Sequence, residues 1–150
     1  MNSTRRRDWL LLILAALLVA AVVPPWTSFE SDTHGHWFKV QWIPFVSRPT
    51  PAGGFLDELR YVAEMAANVL LYVPFGAAAY RLFGGRRTIV LAAVLSALTE
   101  YTQLYSHTRI PSTTDLVCNL AGAWMGARFA RRHPRTSGAQ NLATPTADPM

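Results

Sequence analysis

The sequence predicts an all-α integral membrane protein of four transmembrane helices, with a long extracellular loop between the first two. Three observations predict it. Of the 150 residues, 51% are hydrophobic and the mean hydropathy is +0.15, more apolar than an ordinary soluble domain of this size. The apolar residues gather into four low-charge runs, 9–23, 61–83, 88–105 and 114–130. The basic residues, finally, fall between alternate runs.

A helix rises about 1.5 Å per residue and the hydrocarbon core is about 30 Å thick, so roughly 17 to 25 apolar residues span it. The first run reaches that length if it continues to Trp26. Arg5, Arg6 and Arg7 precede it; Arg81, Arg86 and Arg87 lie between the second and third; Arg128, Arg131, Arg132 and Arg135 follow the fourth. Lys39, Arg48, Arg60 and Arg109 take the other two connections. This asymmetry places both termini in the cytoplasm of a bacterial cell membrane. The net charge of +5 is thus a topology signal and argues against nucleic acid as a partner.

Residues 1–8 form a short cytoplasmic segment and residues 9–26 the first transmembrane helix. The same arginines, the apolar core and Val19-Ala20-Ala21 also fit the outline of a cleavable signal peptide. The three further runs favour an uncleaved anchor. Residues 27–59 form the extracellular loop, rich in Trp37, Phe38, Trp42, Phe45 and Phe55, whose rings favour the headgroup level. His34 and His36 stand two apart, yet without a third ligand nearby they make a poor zinc site. The lone Cys118 permits no internal disulfide and reads as a small buried thiol.

Residues 60–130 carry three more spans. In the second, Glu64 and Asn68 stand one turn apart and face the same way. Pro74 removes a backbone donor near its centre, and Gly76 offers a place for close helix approach. The third has Ser96, Glu100 and Gln103 along one side. The fourth carries Asp115, Asn119, Gly122 and Gly126 as a stripe that turns from polar to small, and Gly122 and Gly126 stand at a spacing common in membrane helix packing. From residue 131 to 150 the chain loses periodicity and reads as a disordered cytoplasmic tail.

Depths follow from the rise per residue. Glu64 and Asn68 lie about 5 and 10 Å below the outer end of their span, Glu100 and Gln103 about 8 and 3 Å, Asp115 and Asn119 about 2 and 8 Å. Six groups from three separate stretches thus share one outer-leaflet slab, with Arg109 above them. A carboxylate exposed to lipid costs roughly 2.5 to 3.5 kcal/mol, so these should face protein or water.

Their chemistry leaves alternatives open. Glu100 and Asp115 could act as general acid or base, with Glu64, Asn68, Gln103, Arg109 and Asn119 binding a substrate and Arg109 holding an anionic group. The same pocket could bind without chemistry, or hold a hard cation such as calcium at Glu64, Glu100 and Asp115. No cofactor is expected. Transport fits least, because the inner halves of the spans offer no polar path. Otherwise the groups only satisfy one another and fix helix packing.

The pattern resembles the VanZ-like family of small bacterial membrane proteins. The likeness rests on residues 68–76, NVLLYVPFG, on Glu100 with Gln103, and on Arg109, Asp115, Asn119, Gly122 and Gly126 in that order. It covers residues 60–130. It implies a multi-helix envelope protein, in some members linked to teicoplanin-type lipoglycopeptide resistance, and supplies no reaction. Two functions are carried forward: a pocket that binds or modifies a membrane lipid or other envelope component and lowers lipoglycopeptide susceptibility, or a non-catalytic structural membrane protein. The oligomeric state is left open.

Overall fold

The computed structural model describes residues 3–22, 37–46, 54–105 and 110–134. These form four α-helices, α1 (Ser3–Val22), α2 (Phe55–Phe83), α3 (Gly85–Gln103) and α4 (Thr113–Arg132), and a short 3₁₀ turn at Trp37–Lys39. No strand occurs among the described residues; a single parallel bridge joins Gln41 to Ser112.

Each apolar run lies within or along a helix, but the helices overrun the runs at their charged ends. Helix α1 begins at Ser3 and takes in Arg5, Arg6 and Arg7, since arginine is a good helix former and charge alone does not stop a helix. Helix α2 starts at Phe55, inside the stretch read as loop, with Asp57 and Glu58 in its first turn, where carboxylates favour the amino end. At 29 residues it measures about 43 Å. Among the described residues it is the one helix both long and apolar enough to cross a bilayer. The other three carry several charged residues each near their ends.

Helix α2 is the centre of the bundle, packing on α1, α3 and most extensively on α4. Glycine makes that last contact possible. A Cβ added to Gly76 would fall on the Ala123 carbonyl, one at Gly122 on the Val69 carbonyl, and one at Gly126 on the Val73 carbonyl and 2.8 Å from the Ala77 nitrogen. All three obstacles are backbone. With hydrogen in place of a side chain, the helices approach until Cα–H groups meet carbonyl oxygens. Pro74 stays within α2 without ending it and lies on an exposed face. Its missing donor leaves the carbonyl one turn earlier, that of Leu70, without its helical bond.

Gly84 separates α2 from α3 at φ +83°, a region that L side chains rarely adopt. Its amide donates to the Tyr80 carbonyl, and its own carbonyl accepts from the Thr88 amide and hydroxyl at 3.1 and 2.8 Å. One residue thereby closes one helix and opens the next. Helix α1 packs its Leu12, Ala15 and Val19 into the core with Tyr72, Phe75, Ala78 and Ala79 of α2. Trp9 meets Phe83 edge-on at 5.3 Å, and Asp8 pairs with Arg81 at 3.8 Å.

Beside this apolar core several polar side chains are also buried, and many large apolar ones face outward. Thr88, Ser96, Thr99, Gln103, Ser112, Thr114 and Asn119 are buried, while Leu10, Leu14, Leu17, Leu70, Val90, Leu98 and Phe129 are exposed.

Candidate functional site

The amino end of α4 is the scaffold on which the site is built. Ser112 is its N-cap, its hydroxyl accepting from the Thr114 amide at 3.1 Å. In a capping box the carboxylate three residues on would reach back to the Ser112 amide. Here Glu100 of α3 takes that place, its carboxylate accepting from the Ser112 amide at 2.8 Å. Asp115 lines a different cavity from Glu100.

That cavity, of about 210 Å³, is lined by Glu64, Ala67, Asn68 and Leu71 of α2, Gln103 of α3, Asp115 of α4 and Val22 at the end of α1. Four of the residues singled out in the sequence thus meet in one place. Glu64 is exposed, Asn68 and Asp115 are half-buried and Gln103 is buried, so polarity descends from an open rim to an enclosed floor. The Gln103 side-chain carbonyl oxygen is buried with no hydrogen-bond partner among the described residues.

Asn119 lies deeper on α4, fully buried, and donates to the Ser96 hydroxyl across the interface with α3 at 2.9 Å. Its carbonyl oxygen is also without a partner there. Tyr72 of α2 joins this layer, its hydroxyl close to Ser96 and Thr99 but short of a well-formed hydrogen bond. Tyr72 stands in the sequence motif at residues 68–76 without a sign of this partnership, and Thr99 went unremarked because a lone hydroxyl in an apolar run has no signature.

Glu100 departs from the expected arrangement. It lines a separate, largely apolar cavity of about 280 Å³ with Trp37, Val40, Trp42, Tyr101 and Leu104. The three carboxylates read as a hard-cation site are therefore not assembled: Glu64 and Asp115 share a cavity, whereas Glu100 is drawn to the α4 amide. Among the described residues no three His, Cys, Asp or Glu side chains form a metal-holding group. Arg109, His34 and His36 lie outside the described residues.

The aromatic loop is more than a surface covering. The Gln41 amide donates to the Pro111 carbonyl at 2.9 Å, and its carbonyl accepts from the Thr113 amide and hydroxyl at 3.0 and 2.9 Å. The Phe45 amide donates to the Thr114 hydroxyl at 2.9 Å, and the Gln41 side-chain amide to the Val46 carbonyl. Residues 37–46 are thus strapped across the start of α4. A Gln in a polar, aromatic loop carries no mark of such a role, so Gln41, Thr113 and Thr114 escape sequence reading.

A helical bundle with small-residue interfaces, an apolar exterior and a polar cavity at one end is the class of molecule defined here. Over residues 9–132 the chain matches the VanZ/LLP1 family model, and it belongs to that family. No curated protein and no solved structure matches it.

Proposed function

We propose that this chain is a multi-pass protein of the bacterial cytoplasmic membrane, both termini inside, whose outer cavity binds a cell-envelope component and thereby lowers susceptibility to teicoplanin-type lipoglycopeptides. One observation carries the binding reading: Glu64, Asn68, Gln103 and Asp115 come from three helices to line one cavity, and the Gln103 side-chain oxygen is buried without a hydrogen-bond partner among the described residues. An orphaned buried acceptor costs about 1–3 kcal/mol, which a ligand donor would recover.

The membrane reading draws support from the apolar exterior. Leucines and valines are exposed in number along α1, α2 and α3, and exposed apolar surface of this kind marks contact with a membrane or a partner. In lipid they need no cover. The three shorter helices, of 20, 19 and 20 residues, are about 28–30 Å long, equal in length alone to the thickness of the hydrocarbon core.

The test is made in cells. Gln103→Leu, Glu64→Gln and Asp115→Asn are compared with wild type for membrane abundance and teicoplanin sensitivity, and envelope lipids are compared by mass spectrometry. Proper abundance with sensitivity restored to that of cells lacking the protein is the expected result. Wild-type sensitivity in all three variants would discard the cavity. A lipid change that depends on Asp115 or Glu100 would extend binding to catalysis.

A structural role is favoured for one residue. Asn119 is fully buried and bonded to Ser96, so it fixes the α3–α4 contact from beneath the cavity.

A further inference from the structure

At the opposite end of the bundle lies another concave surface, of about 610 Å³. It sits between the carboxyl end of α2, the first turns of α3 and the last turns of α4. Arg86 of α3 and Arg128, Arg131 and Arg132 of α4 line it, and no carboxylate does. Asp8, an acid at the same end, pairs with Arg81 and lines a neighbouring cavity.

Two bland explanations cover part of this. Arginines on the cytoplasmic side orient the chain, and Arg131 and Arg132 in the last turn of α4 offset the carbonyl end of that helix. Neither accounts for arginines of two helices lining one groove with no carboxylate among its lining residues. Nor do they explain Arg128, whose guanidinium lies 5.4 Å from the ring centre of Trp124, held by the ring face. The groove also has an apolar wall in Ile89 and Trp124, and Trp124 is half-exposed. Cations at one depth with apolar surface beside them match an ionised headgroup and its acyl chains.

We propose that this groove is a discrete binding site for an anionic phospholipid, its phosphate held by Arg86, Arg128, Arg131 and Arg132 and its chains lying against Ile89 and Trp124. The proposal rests on the membrane reading above and is independent of the outer cavity.

The test uses the full chain in detergent micelles and native mass spectrometry, with phosphatidylglycerol and phosphatidylcholine as probes. Membrane embedding is established separately by resistance of the cellular protein to alkaline extraction. Wild type should retain phosphatidylglycerol in preference to phosphatidylcholine, a comparison that needs no variant. The triple variant Arg86→Gln, Arg128→Gln, Arg132→Gln should lose that retention by roughly tenfold to a hundredfold. Arg6→Gln, Arg7→Gln, Arg87→Gln, which removes equal charge outside the groove, should keep it.

Equal retention of the two lipids, equal loss in both triple variants, or displacement of the lipid by millimolar inorganic phosphate would each overturn the proposal. The first would mean that charge is not read, the second bulk attraction, the third a site for free phosphate. Such an outcome in a protein that still resists extraction would leave the membrane reading standing.

Discussion

Glu100 and Asp115 are both acids near the amino end of α4, and their neighbours give them different work. The Glu100 carboxylate accepts from the Ser112 amide and so completes the cap of α4, whereas Glu64 at the cavity rim is exposed. Glu100→Ala should therefore cost about 1.5–3 kcal/mol, the range for hydrogen bonds to charged groups, and Glu64→Ala within about 0.5 kcal/mol, the range for surface changes. Thermal unfolding in detergent distinguishes them; equal midpoints would contradict the capping role. The glycines offer a second contrast. Gly126→Ala puts a methyl group onto α2 backbone, whereas a Cβ at Gly85 would meet only the Tyr80 ring, at 3.7 Å. The first should lower stability by at least about 1–3 kcal/mol through overpacking, and the second should leave the unfolding midpoint close to that of wild type.

Between elements, the joints matter more than the spans. Gly84 at φ +83° ends α2 and starts α3, so Gly84→Ala should cost about 1–3 kcal/mol in backbone strain without touching any side-chain contact. Restored stability in Gly84→Asn, which tolerates positive φ better than Ala, would trace the loss to conformation. The Ser96–Asn119 bond joins α3 to α4. A double-mutant cycle on Ser96→Ala and Asn119→Leu should give a coupling of about 0.6 kcal/mol, the average for interhelical bonds in membranes. The loop contributes at this scale too: Gln41 binds Pro111 and Thr113 through its backbone, so it anchors the strap whatever its side chain, and Gln41→Ala should loosen only the contacts made to Val46 and Ser112.

For the whole molecule, orientation is the property to measure. Cys118 is the single cysteine and is buried, so Cys118→Ala provides a background for single-cysteine labelling. In intact cells a membrane-impermeant maleimide should label Phe38→Cys, whose native side chain is 82% exposed, and should miss Arg87→Cys until the membrane is opened. The opposite pattern would invert the bundle, moving the outer cavity to the cytoplasm and the arginine groove to the exterior. The two ends are chemically distinct: acids and amides line a cavity at one, while arginines ring a groove at the other.

The helical class, the four apolar segments and the family were legible from residue order alone, because apolar run length, charge spacing and the motif residues are local properties of a chain. The shared depth of Glu64, Asn68, Gln103 and Asp115 was legible too, since helical rise is nearly constant. Which acid faces the cavity was not. Glu100 and Asp115 both lie within reach of the amino end of α4, and only the packing of α3 against α4 decides which carboxylate takes the Ser112 amide. The partner of the Gly122 and Gly126 stripe and the strap at Gln41 were likewise settled by tertiary contact, because a glycine marks where a backbone can approach without saying which one, and backbone hydrogen bonds leave almost no trace in side-chain identity.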